Sequence, residues 1–575
     1  MPENETQNLA FYWSTLFVRS LFVEGVRNVV ISPGSRSTPL TLAFSAHPGI
    51  SKTIAVDERS AAFIALGQAK ASGVPSVLVC TSGTALANYA PAVFEATNSG
   101  IPMIIASADR PPHLRGLGAS QTIDQVKIFG RQPVFFHEAG EPSTHAEKQK
   151  RVPVIARQAF QRSLEDSGVS HINFAFDKPF EPEDDFLKKI ESENQNHSNR
   201  SQTEYSQNMG ETELGEKFWS QLISAEYPLI IVGATSSATE TGFITPLARA
   251  LSAPIIAEPG SNVPNSRHII SGYAGFLKDS EYREDLKPDL ILRIGSFPVS
   301  KGVQQLLEEC NEIHQIGFTE SRFPNDGDYP TDRTIQLNSP LTIPDINGNA
   351  SSKWLSKWKK ISKKFNSFLV DQIQPSTPLT DGYVFKETGE LIPKKAFTML
   401  SNSFPVRDLA LFTDFSGQEI YVNRGAAGID GIISTTIGLS SILDKQGVLF
   451  IGDIAFLHDI NAFLSIKEVT NPLVIVILNN GGGTIFRMLP VYKFKQKHRQ
   501  YFETPQDVRI VSLCRGYQID HTLVSKPEQF APAFESYIDK PGVHVIECIT
   551  DADDSMIERH KLWNFSLSSQ DDNKN

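Results

Sequence analysis

What most constrains this chain is an alternation. Short apolar runs rich in Val, Ile and Leu stop at Gly, Ser, Pro or charge, and a helical pattern follows each. In the first region "VRNVVIS" ends in "PGSRST", "TIAV" in "DERSAAF", "SVLVCT" in "SGTALANYAPAVFEA" and "PMIIAS" in "ADRPP". Strands that hand over to helices in this way form βαβ units, and βαβ units assemble parallel sheets. The pattern returns in "YPLIIVGATSS", "APIIAEPGS", "PDLILRIGSFPVS" and "EIHQIGF". It returns again in "GVLFIGDIAF", "NPLVIVILNNGGGTIF" and "GVHVIECIT". The 575 residues are too many for one core. The expected fold is therefore α/β, with three doubly wound parallel-sheet domains over residues 1–182, 213–345 and 393–575. Residues 183–212 read as a polar linker, because they hold almost no large apolar side chains. Residues 346–392 read as an irregular connector, in which "SSKWLSKWKKISKKF" spaces its Trp and Phe for one amphipathic helix packed on the body.

The bulk properties narrow the partners. A net charge of −11 argues against nucleic acid or an anionic membrane as the main partner, so any anionic ligand needs local Arg or Lys. Cys80, Cys310, Cys514 and Cys548 lie far apart with no CxxC pair, which suggests reduced thiols rather than a disulfide frame or a zinc site. The polar start "MPENETQNLAFYW" is unlike a signal peptide, and runs such as "LVIVIL" are too short to span a bilayer. The expectation is a cytoplasmic protein without membrane insertion.

Two stretches carry chemistry. In "TIAVDERSAAF" a strand pattern stops at Asp57, Glu58 and Arg59 before a helix of small residues. Acids there can simply complement the helix dipole. They can also place a carboxylate on the sheet rim, where α/β enzymes keep their sites. The second stretch is "GDIAFLHDINAFLSIKEVTNPLVIVILNN", Gly452 to Asn480. One strand ends at Gly452-Asp453, a crossover of helical length follows, and the next strand ends at Asn479-Asn480. A right-handed crossover brings both strand ends to one sheet edge. A carboxylate, an amide oxygen and a backbone carbonyl suit a hard cation such as Mg²⁺, which readily shares its ligands with a phosphate. Gly452, Gly481, Gly482 and Gly483 would let backbone approach that phosphate.

Gly-Asp, some 25 residues, then Asn-Asn resembles the thiamine diphosphate–Mg²⁺ motif of the decarboxylase and synthase superfamily. Its members have three α/β domains, in the order pyrimidine-binding, central, diphosphate-binding. The resemblance implies that Asp453, Asn480 and the carbonyl of Gly482 are metal ligands, with Mn²⁺ an acceptable substitute for Mg²⁺. It implies that Glu58 is the activating glutamate, hydrogen-bonded to N1′ of the cofactor's aminopyrimidine and favouring the imino tautomer that removes the C2 proton. "SPGSRSTPL", "ADRPPHLRGLGASQTIDQ", "SNSFPVRD" and "NRGAAGIDG" further resemble one branch, the 2-succinyl-5-enolpyruvyl-6-hydroxy-3-cyclohexene-1-carboxylate synthases of menaquinone and phylloquinone biosynthesis. That branch decarboxylates 2-oxoglutarate on the cofactor and adds the four-carbon carbanion to isochorismate. Carried over motif by motif, Ser35, Arg36, Arg110, Gln121, Lys301, Ser403, Arg407 and Arg424 contact substrates. Ser403 and Gly452 also belong to the cofactor site, and Ile429 and Phe486 are apolar supports for the bent cofactor. Two positions depart from the pattern: Gly302 follows Lys301 where many members have a second basic residue, and Ser120 precedes Gln121 where some have Asn. The superfamily builds each site from two chains, which implies a homodimer or a dimer of dimers with sites at the chain interface.

The charges fit independently. Two dicarboxylates beside a diphosphate, held in an acidic protein, need planar bidentate cations, and arginine suits this better than lysine. Arg36, Arg110, Arg407 and Arg424 all fall in glycine-, serine- or proline-punctuated segments. The "SPGSRST" turn resembles an anion site in its own right. His47, His113, His137 and His498 have no partner spacing that suggests a general base, and are read as structural. The rivals are an acetolactate-type synthase or simple 2-oxo acid decarboxylase, and a non-catalytic scaffold. The arginine-rich segments argue against the first pair, because pyruvate has no second carboxylate. The presence of Glu58 and Asp453 argues against the scaffold.

Overall fold

The computed structural model describes residues 8–197, 214–235, 241–320, 327, 329–337 and 340–566. Every described sheet is parallel throughout. The first holds β1 (Asn28–Ile31), β2 (Ser51–Ile54), β3 (Ser76–Cys80), β4 (Met103–Asp109), β5 (Phe135–Gly140) and β6 (Val169–Ala175), in the order β2-β1-β3-β4-β6-β5. The second holds β7 (Pro228–Val232), β8 (Ile255–Ala257), β9 (Leu290–Ile294), β10 (His314–Thr319) and β11 (Arg333–Gln336), in the order β11-β10-β9-β7-β8. The third holds β12 (Phe397–Leu400), β13 (Glu419–Val422), β14 (Gly447–Gly452), β15 (Pro472–Asn479), β16 (Asp520–Val524) and β17 (Gly542–Ile549). Its order, β13-β12-β14-β15-β17-β16, repeats that of the first sheet position for position. Central strands such as β3, β4 and β15 are buried on both faces, which explains their unbroken apolar runs.

The chain forms two compact units, and they do not follow the sequence order. One comprises Met1–Asn208 together with Ile433–Leu443 and Asp459–Glu468. Within it Asn461 Nδ2 donates to Asp57 Oδ2 at 2.8 Å, and Asp57 caps the helix Glu58–Ser72 through Ser60 N. The carboxylate of Asp459 accepts from Ser434 N at 2.7 Å and Ser434 Oγ at 3.0 Å. Burial pushes that carboxyl up to about 7.

The first half of the stretch read as a linker is a helix, Asp184–His197. It buries Ile190, pairs Glu193 with Arg19 at 2.9 Å and donates from Asn194 Nδ2 to Ala46 O at 2.9 Å. A narrow apolar stripe in a polar sequence is enough when a core is waiting for it. Most of the remainder, residues 198–212, lies outside the described residues.

The other unit comprises Met209–Ile432, Asp444–His458 and Val469–Asn575. Here the second and third sheets share one apolar core. The bridge is the helix Trp354–Gln372, whose Trp358 and Phe365 are fully buried, as its Trp/Phe spacing predicts. Each such side chain contributes roughly 1.5–3 kcal/mol on burial. The connector is thus less irregular than its sequence suggests, since a second helix, Asp381–Leu391, follows the first.

Candidate active site

In the first unit the carboxyl ends of β1 to β4 gather the predicted residues of the first domain. Beyond β1, Arg36 is buried before the helix Thr38–Ser45. Its backbone N donates to Thr81 Oγ1 at 3.3 Å, its Nη1 to Phe176 O, and its guanidinium lies 4.8 Å from the Phe180 ring. Burial and then the charge of Arg110 hold Arg36 below the usual arginine range, as expected of cations facing a common anion. Ser35 is exposed beside it. Arg110 follows β4 and donates to Ser120 O at 2.8 Å. Gln121 has φ +51° and is exposed, and its carbonyl accepts from Ser82 Oγ at 3.0 Å. Buried Gln125 ties the loop down, accepting from Gly83 N at 2.9 Å and donating to Asn173 Oδ1 at 2.9 Å.

Glu58 opens the helix Glu58–Ser72 and is half-buried. The capping role belongs to Asp57, so the Glu58 carboxylate is not needed to start the helix. Its charge faces buried Cys80 and Tyr89, whose thiol and phenol are pushed up by burial first.

In the second unit the third sheet supplies the other set. β14 and β15 pair with Gly452 opposite Leu478, so Asp453 and Asn479-Asn480 leave the same edge. Asp453 is buried, and burial pushes its carboxyl up to about 6 against the backbone N–H groups of Ile454 and Gly482. Gly482 has φ +124°, and a Cβ there would lie 2.2 Å from Glu503 O, so only glycine makes this turn. The Gly482 carbonyl accepts from Thr484 N at 2.8 Å, which leaves one lone pair for a metal.

Asn480 is oriented by a residue that sequence reasoning missed. Its Nδ2 donates to Asp381 Oδ2 at 3.2 Å. An ionised carboxylate only accepts, so the amide must turn its nitrogen toward Asp381 and its oxygen away. Asp381 is fully buried and also accepts from Arg559 Nη2 at 2.7 Å and Thr550 Oγ1 at 2.6 Å. Arg559 in turn grips both carboxylate oxygens of Asp408. The donor set therefore fits a hard cation: one buried carboxylate, one amide oxygen with fixed direction, one carbonyl in a glycine turn. Phe486 is partly exposed with its ring edge-to-face on Phe502 at 5.9 Å, and Ile429 is half-buried in the loop after β13.

The cationic residues cluster beside this. Ser403 has φ +74°, a strained backbone at the start of the helix Phe404–Phe412. Its carbonyl accepts from Arg407 Nη1 at 2.6 Å. Asn402 Oδ1 accepts from Arg424 Nη1 at 2.9 Å. Burial first, then Arg424, lowers Arg407. Lys301 opens the helix Lys301–Glu309, and it lines one cavity with Arg407.

Two family descriptions match the chain: "Thiamine pyrophosphate enzyme, N-terminal TPP binding domain" over residues 13–128, and its C-terminal TPP binding counterpart over residues 409–548. The chain is 34% identical to a 2-succinyl-5-enolpyruvyl-6-hydroxy-3-cyclohexene-1-carboxylate synthase of Oceanobacillus iheyensis, over 97% of this chain and 98% of that one. It is 35% identical to the synthase of that name from Microcystis aeruginosa, over 95% and 97%. For Geobacillus kaustophilus the figures are 34%, 96% and 97%.

Proposed function

The chain belongs to the 2-succinyl-5-enolpyruvyl-6-hydroxy-3-cyclohexene-1-carboxylate synthase family of thiamine diphosphate enzymes, and we propose that it carries out a two-substrate condensation of 2-oxoglutarate with isochorismate. 2-Oxoglutarate loses CO₂, its former carbonyl carbon bonds to isochorismate, and one proton is taken up. The domain roles over residues 1–182, 213–345 and 393–575 belong to the same proposal.

When bound, thiamine diphosphate supplies the electron sink that makes the carbonyl carbon of a 2-oxo acid nucleophilic. The chain's own residues do the rest. Glu58 holds and exchanges a proton with N1′ of the pyrimidine ring. Asp453, Asn480 and the Gly482 carbonyl hold Mg²⁺, or Mn²⁺ in its place, against the diphosphate. Gly452 gives the diphosphate room, and Ile429 and Phe486 support the cofactor on apolar faces. Ser35, Arg36, Arg110, Gln121, Lys301, Ser403, Arg407 and Arg424 hold carboxylates and exclude water from them. The observation that carries this reading is Asn480, whose Nδ2 donates to Asp381 Oδ2 and so turns its amide oxygen away from Asp381. Purified protein with thiamine diphosphate and Mg²⁺ should release CO₂ from 2-oxoglutarate and form the adduct only when isochorismate is added. CO₂ release without any adduct would reduce the enzyme to a decarboxylase.

Family practice supports a homodimer or dimer of dimers with sites between chains; a fully active monomer in sedimentation would end that part. No described helix is long and apolar enough to cross a membrane. The four buried free thiols support a reducing, cytoplasmic place of work.

Donor choice gives a sharper test. The distal carboxylate of 2-oxoglutarate must give up water, and half-buried Arg407 is the cation placed to replace it. A charged hydrogen bond is worth about 1.5–3 kcal/mol, or roughly 10–150-fold in kcat/KM at 1.36 kcal/mol per decade. Arg407→Leu should therefore lower kcat/KM for 2-oxoglutarate at least about tenfold, with cofactor affinity kept and pyruvate turnover unchanged or higher. Equal loss for every donor would mean that Arg407 holds the diphosphate or the fold.

A further inference from the structure

The cavity that joins Lys301 to Arg407 has a third cation, Lys278. Its apolar wall is Leu411, Met488 and Trp563, with the Trp563 ring 5.8 Å from Lys278 Nζ. The one acid in the lining, Asp408, is taken up on both oxygens by Arg559. Neither Lys278 nor Lys301 forms an ion pair among the described residues. Lys278 and Lys301 thus line one concave space, and among the described residues no carboxylate is paired with either.

The backbone forces this arrangement. A Cβ at Gly302 would lie 2.7 Å from the carbonyl carbon of Leu277, so the start of the Lys301–Glu309 helix packs directly on the Leu277–Lys278 turn. Arg283 fixes that turn, donating from Nη1 to Leu277 O and Lys278 O at 2.9 Å each. Glu309 locks Arg283 through two oxygens, each 2.9 Å from Nε. Burial, followed by the charges of Lys301 and Arg283, holds the Lys278 ammonium below the usual lysine range. Like charges pressed together at a cavity wall cost free energy in the empty protein and favour an anion there.

We propose that Lys278 is a substrate-binding residue that pairs with a carboxylate of the acceptor dicarboxylate and sets its affinity. The inference rests on the two-substrate reading above. The donor must react at the third sheet's edge, where Ser403, Arg407 and Arg424 gather. Lys278 comes from a turn and Lys301 from a helix start that pack together beside the second sheet, and the apolar wall beside them suits a carbocycle better than a short flexible chain.

The test is steady-state kinetics of the holoenzyme with each substrate varied, for wild type, Lys278→Gln and Lys278→Arg. Lys278→Gln should raise the KM for isochorismate about tenfold or more, as loss of one charged hydrogen bond does. The KM for 2-oxoglutarate and CO₂ release from 2-oxoglutarate alone should stay within about twofold, and Lys278→Arg should recover most of the acceptor affinity. A rise in the 2-oxoglutarate KM instead, or no change in either, overturns the proposal. So does a variant that fails to fold or bind thiamine diphosphate, because Lys278 would then be structural. Wild type that forms no adduct at all would instead remove the two-substrate reading beneath it.

Discussion

Glu58→Gln should leave thiamine diphosphate bound and slow proton exchange at its C2 carbon by about 10²–10⁴, the range of a general acid–base contribution. Glutamine keeps the shape and one hydrogen bond but cannot pass a proton to and from N1′. The competing account is that Glu58 is only an acid at a helix start, worth about 0.3–1 kcal/mol to the helix. The helix has its cap in Asp57, which Asn461 anchors. Stability should accordingly fall by less than about 1 kcal/mol while exchange, followed by NMR after transfer into deuterated buffer, falls by orders of magnitude. An unchanged exchange rate would return Glu58 to the helix-end account.

Asp453→Ala should abolish Mg²⁺-dependent cofactor binding. Removing a partner that merely orients a metal ligand already costs about 10–100-fold in metal affinity, and Asp453 is proposed as a ligand itself. Calorimetry with thiamine diphosphate should show no difference between buffer containing Mg²⁺ and buffer containing chelator. The cofactor-free variant should melt no lower than cofactor-free wild type, because burying a carboxylate opposes folding. Retained affinity in Mg²⁺ would remove the metal assignment, and a large loss of stability would make Asp453 a structural acid.

The stretch from Gly452 to Asn480 was readable because a right-handed crossover leaves only one relation between its two strand ends, and the β14–β15 register has that relation. The polar stretch containing Asp184–His197 was not readable, because its few apolar residues matter only against a surface the sequence does not display. Asp381 follows Thr380 at a helix start, where an acid normally means a cap. Its contact to Asn480 spans 99 residues and its contact to Arg559 spans 178, with no local pattern to announce either. Lys278 is harder still. Lysine before an acidic helix start in "GFLKDSEY" is ordinary surface chemistry until Gly302 brings a second lysine against it.

The first unit contains Ile433–Leu443 and Asp459–Glu468 as well as the first 208 residues. Those late segments leave the ribosome 225 to 260 residues after Asn208 (433 − 208 and 468 − 208), which at roughly 5–20 residues per second is a wait on the order of tens of seconds. During that time the helix that begins at Glu58 has its own cap but not the asparagine that anchors it, and the surface these segments will occupy stays open to water or to a chaperone. The helix that begins at Glu58 is among the first parts of the chain to be made and among the last to be finished.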